Sequence, residues 1–481
     1  MSTLGNLIGG EIVGPADGRQ IEVTNPATGE TIGAVPALTR DELGRVFDAA
    51  EAGAKAWRAT GPLARGRVLI DAAALVRAEA AELTDLIVRE MGKTRAEASG
   101  EVGKAAEFFE YYGGMARQPY GELIADARPG TYAMQIREPL GVVVLITPWN
   151  DPLLTPARKL APALSAGNAV VIKPATETPL ITLRLAEILH RAGVPAGVLN
   201  TVTGRGSEIG DALVDDHRVR AVSFTGSTPV GLELQRRLAG RAVRVQTEMG
   251  GKNAAVVLAD ADLDLAVSVI MTGAFGQAGQ RCTATSRLIV DRRVADALRT
   301  KIAERVGALR VGAGDADGVD LGPVVSRAAQ ADIQSRVERG LAEGASVISA
   351  PTLEPGLTER GAFVQPVLLA FDRQNSLWRE EVFGPVLGMI EVDGFDEAIA
   401  AVNDSVYGLS SAVFTESLAS ANRFIDEADT GQVSVNQPTI GWDIHHPFGG
   451  FKDSGSPFKE QGSEALRFYS RVKTAAVRSG A

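Results

Sequence analysis

One cysteine occurs in the 481-residue chain, within the segment Gly279-Gln280-Arg281-Cys282-Thr283. A lone cysteine is more often a small buried hydrophobic residue than a nucleophile. Cys282, however, lies among small and polar residues, and the neighbouring Arg281 guanidinium is expected to lower the pKa of the thiol. From this segment alone, a structural role and a nucleophilic role are equally supported. A single cysteine excludes an intramolecular disulfide and a cysteine-based zinc site.

Two further polar residues have the chemistry to assist a nucleophile. Glu248 precedes two glycines, and a carboxylate near a thiol can activate the water that hydrolyses an acyl-enzyme. A salt-bridged surface residue is the alternative for Glu248. Asn150 follows Trp149 at the end of an apolar run and offers a side-chain N–H donor for an oxyanion. The local sequence favours a helix N-cap over that role.

The segment Phe224-Thr225-Gly226-Ser227, followed by Pro229, predicts a strand that leads directly into a helix. Gly226 allows the backbone to approach a ligand closely, and Ser227 is a typical N-cap residue. The free N–H groups and the positive end of the helix dipole suit a phosphate. On this segment alone, an ordinary capped helix is the better supported interpretation.

The elements that must position these residues alternate between strand and helix from residue 141 onward. Apolar runs predict strands at 142–147, 169–172, 198–202 and 219–224. Thr178-Pro179 predicts the start of a helix that continues to residue 191. A second alternating region covers residues 251–448, whereas about the first 120 residues are predicted to be mostly helical. Strand–helix alternation predicts parallel sheets with helices on both faces, which bind ligands at the carboxyl ends of their strands.

The composition limits the class of partner. The net charge is −10 without any basic block, so nucleic acid is not expected as a main partner. No apolar run approaches the roughly 18 residues of a membrane span, and residues 1–10 lack the layout of a signal peptide, so we expect a cytoplasmic protein. His445 and His446 are expected on opposite sides of an extended segment, which argues against a metal site. A chain of 481 residues should form two or three lobes.

Taken in order, these motifs resemble those of the aldehyde dehydrogenase superfamily over almost the whole chain, from Asn25 to Tyr469. The matching blocks are Pro148-Trp149-Asn150, Gly167-Asn168, Lys173-Pro174-Ala175, residues 224–231, residues 248–251, residues 279–283, residues 381–385 and Pro447-Phe448-Gly449-Gly450. Each block is weak to moderate evidence alone, but their order and spacing together are highly specific.

The resemblance implies an α/β fold of the aldehyde dehydrogenase type. A Rossmann-type cofactor-binding domain would consist of residues 1–118 and 139–250, and an α/β catalytic domain of residues 251–448. A small oligomerisation hairpin and tail would consist of residues 119–138 and 449–481. These last two segments resemble the parts that pair sheets between subunits, so a homodimer or homotetramer is expected.

The resemblance also assigns roles to matching residues. Cys282 stands at the position of the nucleophile, Asn150 at that of the oxyanion donor, and Glu248 at that of the general base. The cofactor contacts of the family fall on Trp149, Lys173, Gly226, Ser227, Glu381 and Phe383. The implied reaction is oxidation of an aldehyde to a carboxylic acid by a nicotinamide dinucleotide. It would proceed through a thiohemiacetal and then a thioester, which water activated by Glu248 hydrolyses.

Two departures from the family pattern bear on the substrate. Asp151 stands where Phe is common, and Arg158 stands where Trp is common. An Arg at the second position resembles the succinate-semialdehyde dehydrogenases. A guanidinium suits a carboxylate, and Arg281 adds a second positive charge, so we expect a semialdehyde with a remote anionic group and Phe448 in the substrate pocket. Residues 279–287 also resemble enzymes that act on 2-oxoglutarate semialdehyde. The alternatives are that Asp151 only pairs with Arg158, and that neutral aldehydes are accepted broadly.

The cofactor prediction rests on a short stretch after Lys173. Members that prefer NAD often carry Glu three residues later, where it repels a 2′-phosphate, whereas this chain has Thr176. Arg205 is expected near the same ribose, and Glu177 partly offsets its charge. We therefore predict use of both NAD and NADP, with a preference for NADP.

Two competing functions make different predictions about Glu248. A CoA-acylating dehydrogenase lacks the base at that position, because CoA accepts the acyl group instead of water. An inert structural or binding protein would have lost Cys282 or Glu248. Both residues are present, so both alternatives are disfavoured.

Overall fold

The structure is a computed structural model that describes residues 4–14, 17–118 and 121–478. The ends of the predicted domain ranges at residues 1–3, 119–120 and 479–481 lie outside the described residues. The strands are β1 (Asn6–Ile8), β2 (Glu11–Val13), β3 (Gln20–Thr24), β4 (Thr31–Pro36), β5 (Gly121–Ile124), β6 (Thr131–Pro139), β7 (Val142–Ile146), β8 (Ala169–Lys173), β9 (Leu199–Thr201), β10 (Val219–Thr225), β11 (Arg244–Glu248), β12 (Asn253–Val257), β13 (Thr285–Asp291), β14 (Ser346–Ser349), β15 (Val367–Ala370), β16 (Val386–Val392), β17 (Tyr407–Gly408), β18 (Ser410–Phe414), β19 (Gln432–Val435), β20 (Phe451–Lys452) and β21 (Ser470–Arg478).

The α-helices are α1 (Leu43–Ala59), α2 (Pro62–Ala78), α3 (Ala80–Met91), α4 (Arg95–Gly114), α5 (Leu154–Ser165), α6 (Pro179–Arg191), α7 (Gly206–Asp215), α8 (Thr228–Leu238), α9 (Leu263–Phe275), α10 (Ala295–Gly307), α11 (Arg327–Ala342), α12 (Leu357–Arg360), α13 (Ser376–Arg379), α14 (Gly394–Asn403), α15 (Leu418–Glu427) and α16 (Gly462–Phe468). Single 3-10 turns span Met115–Arg117 and Gly276–Gly279.

The first large sheet has five parallel strands in the order β11-β10-β7-β8-β9. The chain proceeds from β7 outward to β9 and then returns to place β10 on the other side of β7. The strand order therefore reverses between β7 and β10, which opens a crevice beyond their carboxyl ends. Trp149 and Asn150 follow β7, and Gly226 follows β10, so these motifs reach the crevice.

Helices cover both faces of this sheet. Val143 and Leu145 of β7 pack into a core shared with α2, α4, α5 and α6. Val142 and Val144 point to the opposite face and pack into a core shared with α1, α7 and α8. Successive strand residues point to opposite faces, so a sheet covered on both sides requires an uninterrupted apolar run, as the sequence of β7 has.

The second large sheet has seven strands in the order β14-β15-β16-β13-β12-β18-β19. Only β14 is antiparallel to its neighbour. The segments that carry Gly251, Cys282 and Phe383 lie immediately before β12, β13 and β16, so they sit at the amino ends of this sheet. A cleft therefore lies between the carboxyl ends of one sheet and the amino ends of the other.

A third, antiparallel sheet has the order β21-β6-β5. Within this chain, β21 pairs with β6 along its whole length, from Ser470 opposite Pro139 to Arg478 opposite Thr131. Both outer strands carry exposed apolar side chains, with Leu123 of β5 77% exposed and Val472 of β21 50% exposed. These strands belong to the segments predicted to join subunits.

The prediction of a mostly helical first 120 residues is wrong for the first third of that region. Strands β1 to β4 form two antiparallel pairs there, and burial alternates along β3, where Ile21 and Val23 are buried. The period of two in this short stretch was the available signal. Helices α1 to α4 follow as predicted.

Two further features concern ligands and membranes. Within the described ranges, no helix combines the length and the apolarity that crossing a membrane requires. No three His, Cys, Asp or Glu side chains of the described chain are grouped as metal ligands. The rings of His445 and His446 do not point apart as expected, because their centroids lie 4.4 Å apart in a turn rather than a strand.

Candidate active site

A cleft of about 610 Å³ lies between the two large sheets. Its size is typical of a site for a small molecule. The predicted residues that line it are Trp149, Asn150, Arg158, Gly226, Ser227, Glu248, Arg281, Cys282, Glu381, Phe383 and Phe448. The structure thus brings together residues that are separated by up to three hundred positions in the sequence.

Cys282 follows a backbone turn of unusual conformation. Gln277, Ala278 and Gly279 have φ angles of 57°, 53° and 68°, which is the left-handed region. The Cys282 carbonyl accepts a hydrogen bond of 2.8 Å from the Asn253 side chain, which ties the segment to the start of β12. Burial raises the pKa of the Cys282 thiol to about 12, and Arg158 is the main charge that opposes this rise.

Arg281 is not among the main groups that shift the pKa of the Cys282 thiol, although the sequence pointed to it. Its Nε donates to Gln277 Oε1 at 2.6 Å, and its charge acts on Asp151 instead. The Arg281 side chain thus turns back to a residue four positions earlier, a contact that its place beside Cys282 in the sequence does not reveal. Arg281 nevertheless lines the cleft.

Asn150 is not a helix N-cap. Helix α5 begins at Leu154 and its cap position is Leu153, whereas Asn150 lies in the turn that precedes them. The Asn150 Nδ2 donates to the Gln280 carbonyl at 3.0 Å, so the side chain is directed at the segment that carries Cys282. An amide nitrogen has two N–H groups, and this bond uses one of them.

Glu248 is a buried residue at the end of β11, with only 2% of its surface exposed, so the surface alternative is wrong. Its Oε1 accepts from Gln246 Nε2 at 3.0 Å, and its Oε2 has no hydrogen-bond partner among the described residues. Burial and the neighbouring Glu460 raise its pKa well above the ordinary value, while Lys159, Lys459 and Arg158 oppose the rise.

A buried chain of polar groups supports Glu248, and the sequence did not point to it. Lys159 pairs with Glu460 and donates to Ser223 Oγ at 2.7 Å. The Ser223 hydroxyl donates to Gln246 Oε1 at 2.5 Å, and Gln246 in turn donates to Glu248. Lys159 is next to the predicted Arg158, but Glu460 is too distant in the chain for local reasoning to link it with either residue.

Asp151 and Arg158 do not pair with each other. Asp151 pairs with Lys93 at 2.6 Å, and Lys93 also pairs with Glu101. Arg158 lies 3.7 Å from Glu460, and its guanidinium stacks 5.0 Å from the centroid of the Phe448 ring. Burial alone would raise the pKa of Asp151, but Lys93 and Arg281 outweigh it and lower the pKa to about 2.

The opposite wall of the cleft has groups that fit a dinucleotide. Ser227 occupies the N-cap position of α8 but its hydroxyl does not cap the helix, and the buried Thr225 hydroxyl has no partner among the described residues. Free N–H groups at a helix start, with unused hydroxyls beside them, suit a pyrophosphate. Gly226 is held there by its N–H, which donates to the Glu248 carbonyl at 3.1 Å.

Glu381 and Phe383 complete this wall. Glu381 Oε1 accepts from the Gly251 N–H at 2.9 Å, and a Cβ at Gly250 would lie 2.1 Å from Oε2, so a larger residue there would displace the Glu381 carboxylate. Burial raises the pKa of Glu381 to about 7. The Phe383 and Trp149 rings contact each other edge-to-face, with their centroids 5.3 Å apart.

Three predicted cofactor residues lie away from the cleft lining. Lys173 ends β8 and is buried, and its Nζ donates to the Pro174 carbonyl at 3.2 Å. Burial lowers the pKa of Lys173, and Glu177 opposes this effect. Thr176 follows in the turn after β8, and Arg205 is exposed at the N-cap position of α7.

Comparisons with known proteins point in one direction. The aldehyde dehydrogenase family model matches residues 13–475. A 2,5-dioxopentanoate dehydrogenase of Saccharolobus solfataricus is 41% identical over 455 residues, 94% of either chain. An alpha-ketoglutaric semialdehyde dehydrogenase of Bacillus subtilis is 39% identical over 478 residues, 98% of either chain. A solved betaine aldehyde dehydrogenase from Staphylococcus aureus, in complex with NAD+, has a TM-score of 0.96 at 32% identity, covering 99% of this chain and 95% of that one.

Proposed function

This chain belongs to the aldehyde dehydrogenase family, and from that premise we propose that it oxidises a small semialdehyde whose far end is anionic. The observation that carries this proposal is the meeting of Cys282, Asn150 and Glu248 with two guanidinium groups in one cleft. The family and the fold predicted from the sequence are confirmed. A nicotinamide dinucleotide supplies the acceptor for the hydride when it is bound.

We assign the nucleophile to Cys282. The thiolate attacks the aldehyde carbon, and the Sγ–C bond forms as the carbonyl oxygen becomes an oxyanion. Because burial raises the pKa of this thiol to about 12, the thiolate needs help to form. Arg158 is the main charge that favours it, and the proton of the thiol passes to the solvent.

Asn150 would stabilise the oxyanion together with the Cys282 backbone N–H. One N–H of its amide donates to the Gln280 carbonyl, which fixes the amide beside the nucleophile. The second N–H stays available for the oxygen of the substrate. A fixed donor of this kind typically contributes about 3 kcal/mol to the transition state.

Glu248 would activate the water that hydrolyses the thioester. Its unpartnered Oε2 can accept a proton from water, which attacks the acyl carbon and releases the Cys282 thiolate and a carboxylic acid. The presence of the Glu248 carboxylate, held by the hydrogen bond from Gln246, favours hydrolysis of the thioester over transfer of the acyl group to CoA. An assay with and without CoA checks this, and dependence of turnover on CoA would contradict it.

The anionic end of the substrate would meet Arg158 and Arg281. Both line the cleft, and Arg281 forms no ion pair with a carboxylate among the described residues. Arg158 is partly satisfied by Glu460, but at 3.7 Å that contact leaves hydrogen-bonding capacity for a ligand. The names of the two relatives above support this class, because both names describe an aldehyde with a carboxylate at its far end.

The test compares kcat/KM for 2-oxoglutarate semialdehyde, succinate semialdehyde and a neutral aldehyde of similar length. We expect Arg158→Ala and Arg281→Ala to lower the preference for the anionic substrates by roughly 10- to 100-fold, as expected for the loss of a charged hydrogen bond. Arg292→Ala, at an exposed position, is the matched control. An equal loss on neutral and anionic substrates would contradict anion recognition.

We also propose that both NAD and NADP are used, with a preference for NADP. Thr176 adds no negative charge near the adenosine ribose, and the exposed Arg205 is free to approach a 2′-phosphate. Glu177 acts against this preference, because its negative charge partly offsets that of Arg205. Kinetics with the two cofactors side by side test the proposal, and a strict preference for NAD would overturn it.

The exposed edge strands β5 and β21 support assembly into a homo-oligomer. Unpaired strand edges with apolar residues such as Leu123 and Val472 favour pairing with a second chain. We expect Leu123→Lys to shift the molecular mass in light scattering toward the monomer. An unchanged mass would contradict a role for β5.

A further inference from the structure

Gln277 is a buried residue five positions before Cys282, and its side chain uses every hydrogen-bonding atom. Its Nε2 donates to the Asn150 carbonyl and, at 3.2 Å, to Asp151 Oδ1. Its Oε1 accepts from Arg281 Nε at 2.6 Å. One side chain therefore touches the turn that carries Asn150 and the side chain of Arg281.

The backbone of Gln277 contacts helix α4 and the segment that carries Cys282. Its N–H donates to Glu97 Oε1 at 2.5 Å, at the start of α4. Its carbonyl accepts from the backbone and the side chain of Gln280, the residue whose own carbonyl receives the Asn150 amide. The oxyanion donor and the nucleophile segment are thus linked through Gln277 twice.

This arrangement requires an unfavourable backbone conformation. Gln277 has φ 57° and ψ 32°, where residues other than glycine, asparagine and aspartate are uncommon. Such a conformation is unfavourable and persists only where the surroundings fix it. The polar contacts of the side chain and of the N–H provide that restraint.

The restraint is anchored in buried charges. Asp151, which accepts from Gln277, pairs with Lys93, and Lys93 pairs with Glu101. Glu101 Oε1 in turn accepts from the Leu153 and Leu154 N–H groups at the start of α5, the helix that carries Arg158. Since breaking a buried ion pair is costly, this chain of contacts forms a stiff base for Gln277.

We propose that Gln277 is a positioning residue that sets the Asn150 amide against the Cys282 segment and orients Arg281 toward the substrate. Its first role serves the oxidation of any aldehyde. Its second role rests on the proposed function, because it matters only for a substrate with an anionic end. The two roles are separable by the choice of substrate.

The test of the first role uses Gln277→Gly, which accepts the same φ and removes only the side chain. We expect kcat with a neutral aldehyde to fall about 10- to 100-fold, as a displacement near 1 Å does, while Cys282 alkylation by iodoacetamide keeps its rate. In the Asn150→Ala background, the same change should cost less than about threefold, because the donor that Gln277 positions is gone. Additive losses would overturn the proposal.

Two control variants separate the loss of the Gln277 side chain from added backbone flexibility in the turn. Ala278→Gly adds the same backbone freedom at the next left-handed residue without removing a polar contact, and it should leave kcat unchanged. Gln277→Asn retains an amide in a residue type that tolerates this conformation, and it should recover part of the lost kcat. If Ala278→Gly is as slow as Gln277→Gly, loop flexibility explains the loss and the proposal is wrong.

The second role is measured as the ratio of kcat/KM for 2-oxoglutarate semialdehyde and the neutral aldehyde. We expect Gln277→Gly to lower this ratio by a further three- to tenfold, since Arg281 loses the acceptor that orients it. An unchanged ratio in an enzyme that still prefers the anionic substrate would refute this role. If the unmodified enzyme shows no such preference, the proposed substrate class fails while the kcat result stands.

Discussion

The two large sheets contribute to one cleft from opposite ends. The five-stranded sheet presents Asn150, Gly226 and Glu248 at or just beyond the carboxyl ends of its strands, where parallel sheets commonly bind ligands. The seven-stranded sheet presents Cys282 and Phe383 before its strands, at amino ends. At the carboxyl ends of parallel strands, loops and helix starts open toward a ligand. At the amino ends they do not.

The backbone records this difference. Among the described residues, the non-glycine positions with positive φ are Gln277, Ala278, Phe383, Asn436, Lys452 and Gln461. All of them lie in the part of the chain that follows the five-stranded sheet. The turns that lead to Cys282 and Phe383 from amino ends therefore include strained residues, whereas Gly226 and Ser227 follow ordinary strand–helix geometry.

The sharpest test of this comparison removes the nucleophile alone. We expect Cys282→Ala to lower the dehydrogenase rate by at least about a thousandfold, because no other thiol can form the covalent intermediate. Binding of the reduced cofactor, followed by its fluorescence, should persist, since the groups that fit it lie on the other wall. Retained turnover would show that the chemistry does not reside on the seven-stranded side.

Glu248 belongs to both sides of this comparison. It ends a strand of the five-stranded sheet, and it is proposed to act on the thioester at Cys282, which the seven-stranded sheet positions. Glu248→Gln keeps the size of the side chain and removes the base. We expect one rapid equivalent of reduced cofactor per subunit, then steady turnover slower by about 10²- to 10⁴-fold. The exposed Glu343→Gln serves as the control. Loss of the rapid phase as well would mean that Glu248 acts before the thioester forms.

A smaller effect is expected from Lys459, which lies over the Phe451 ring at 4.6 Å and opposes the raised pKa of Glu248. Lys459→Met removes that charge, so the pKa of Glu248 rises and the rate of thioester hydrolysis reaches its plateau at higher pH. At pH 7 we expect hydrolysis to slow by roughly two- to tenfold. Lys301→Met, far away on α10, should leave the pH profile unchanged. A shift to lower pH would contradict this electrostatic account.

Much of the fold followed from apolar periodicity. The strand predicted at 142–147 is β7, and the helix predicted to begin at Thr178-Pro179 is α6, which starts at Pro179 and ends at Arg191. Long runs with both faces buried leave a strong signal. The short β3 was missed because five residues of alternation are weak evidence beside the helical pattern that follows them.

The site residues that belong to sequence motifs could be predicted. The ion pairs between residues far apart in the sequence could not. Cys282, Asn150 and Glu248 reach the cleft, although resemblance rather than local chemistry pointed to them. The alternative in which Asp151 pairs with Arg158 is wrong because each residue has a distant partner, Lys93 and Glu460. Such pairs depend on tertiary packing, which a single sequence does not display.

The pairing of β21 with β6 has a consequence for the order of folding. Arg137 and Ser470, whose side chains form a hydrogen bond across that sheet, are separated by 333 residues of sequence, and Lys159 and Glu460 by 301. During synthesis, the five-stranded sheet can assemble long before either partner has emerged, and contacts of such long range are slow to form. Glu460 and Lys459, which act on the pKa of Glu248, therefore arrive last, so a nascent chain that has already folded its five-stranded sheet still lacks part of the surroundings of the proposed base.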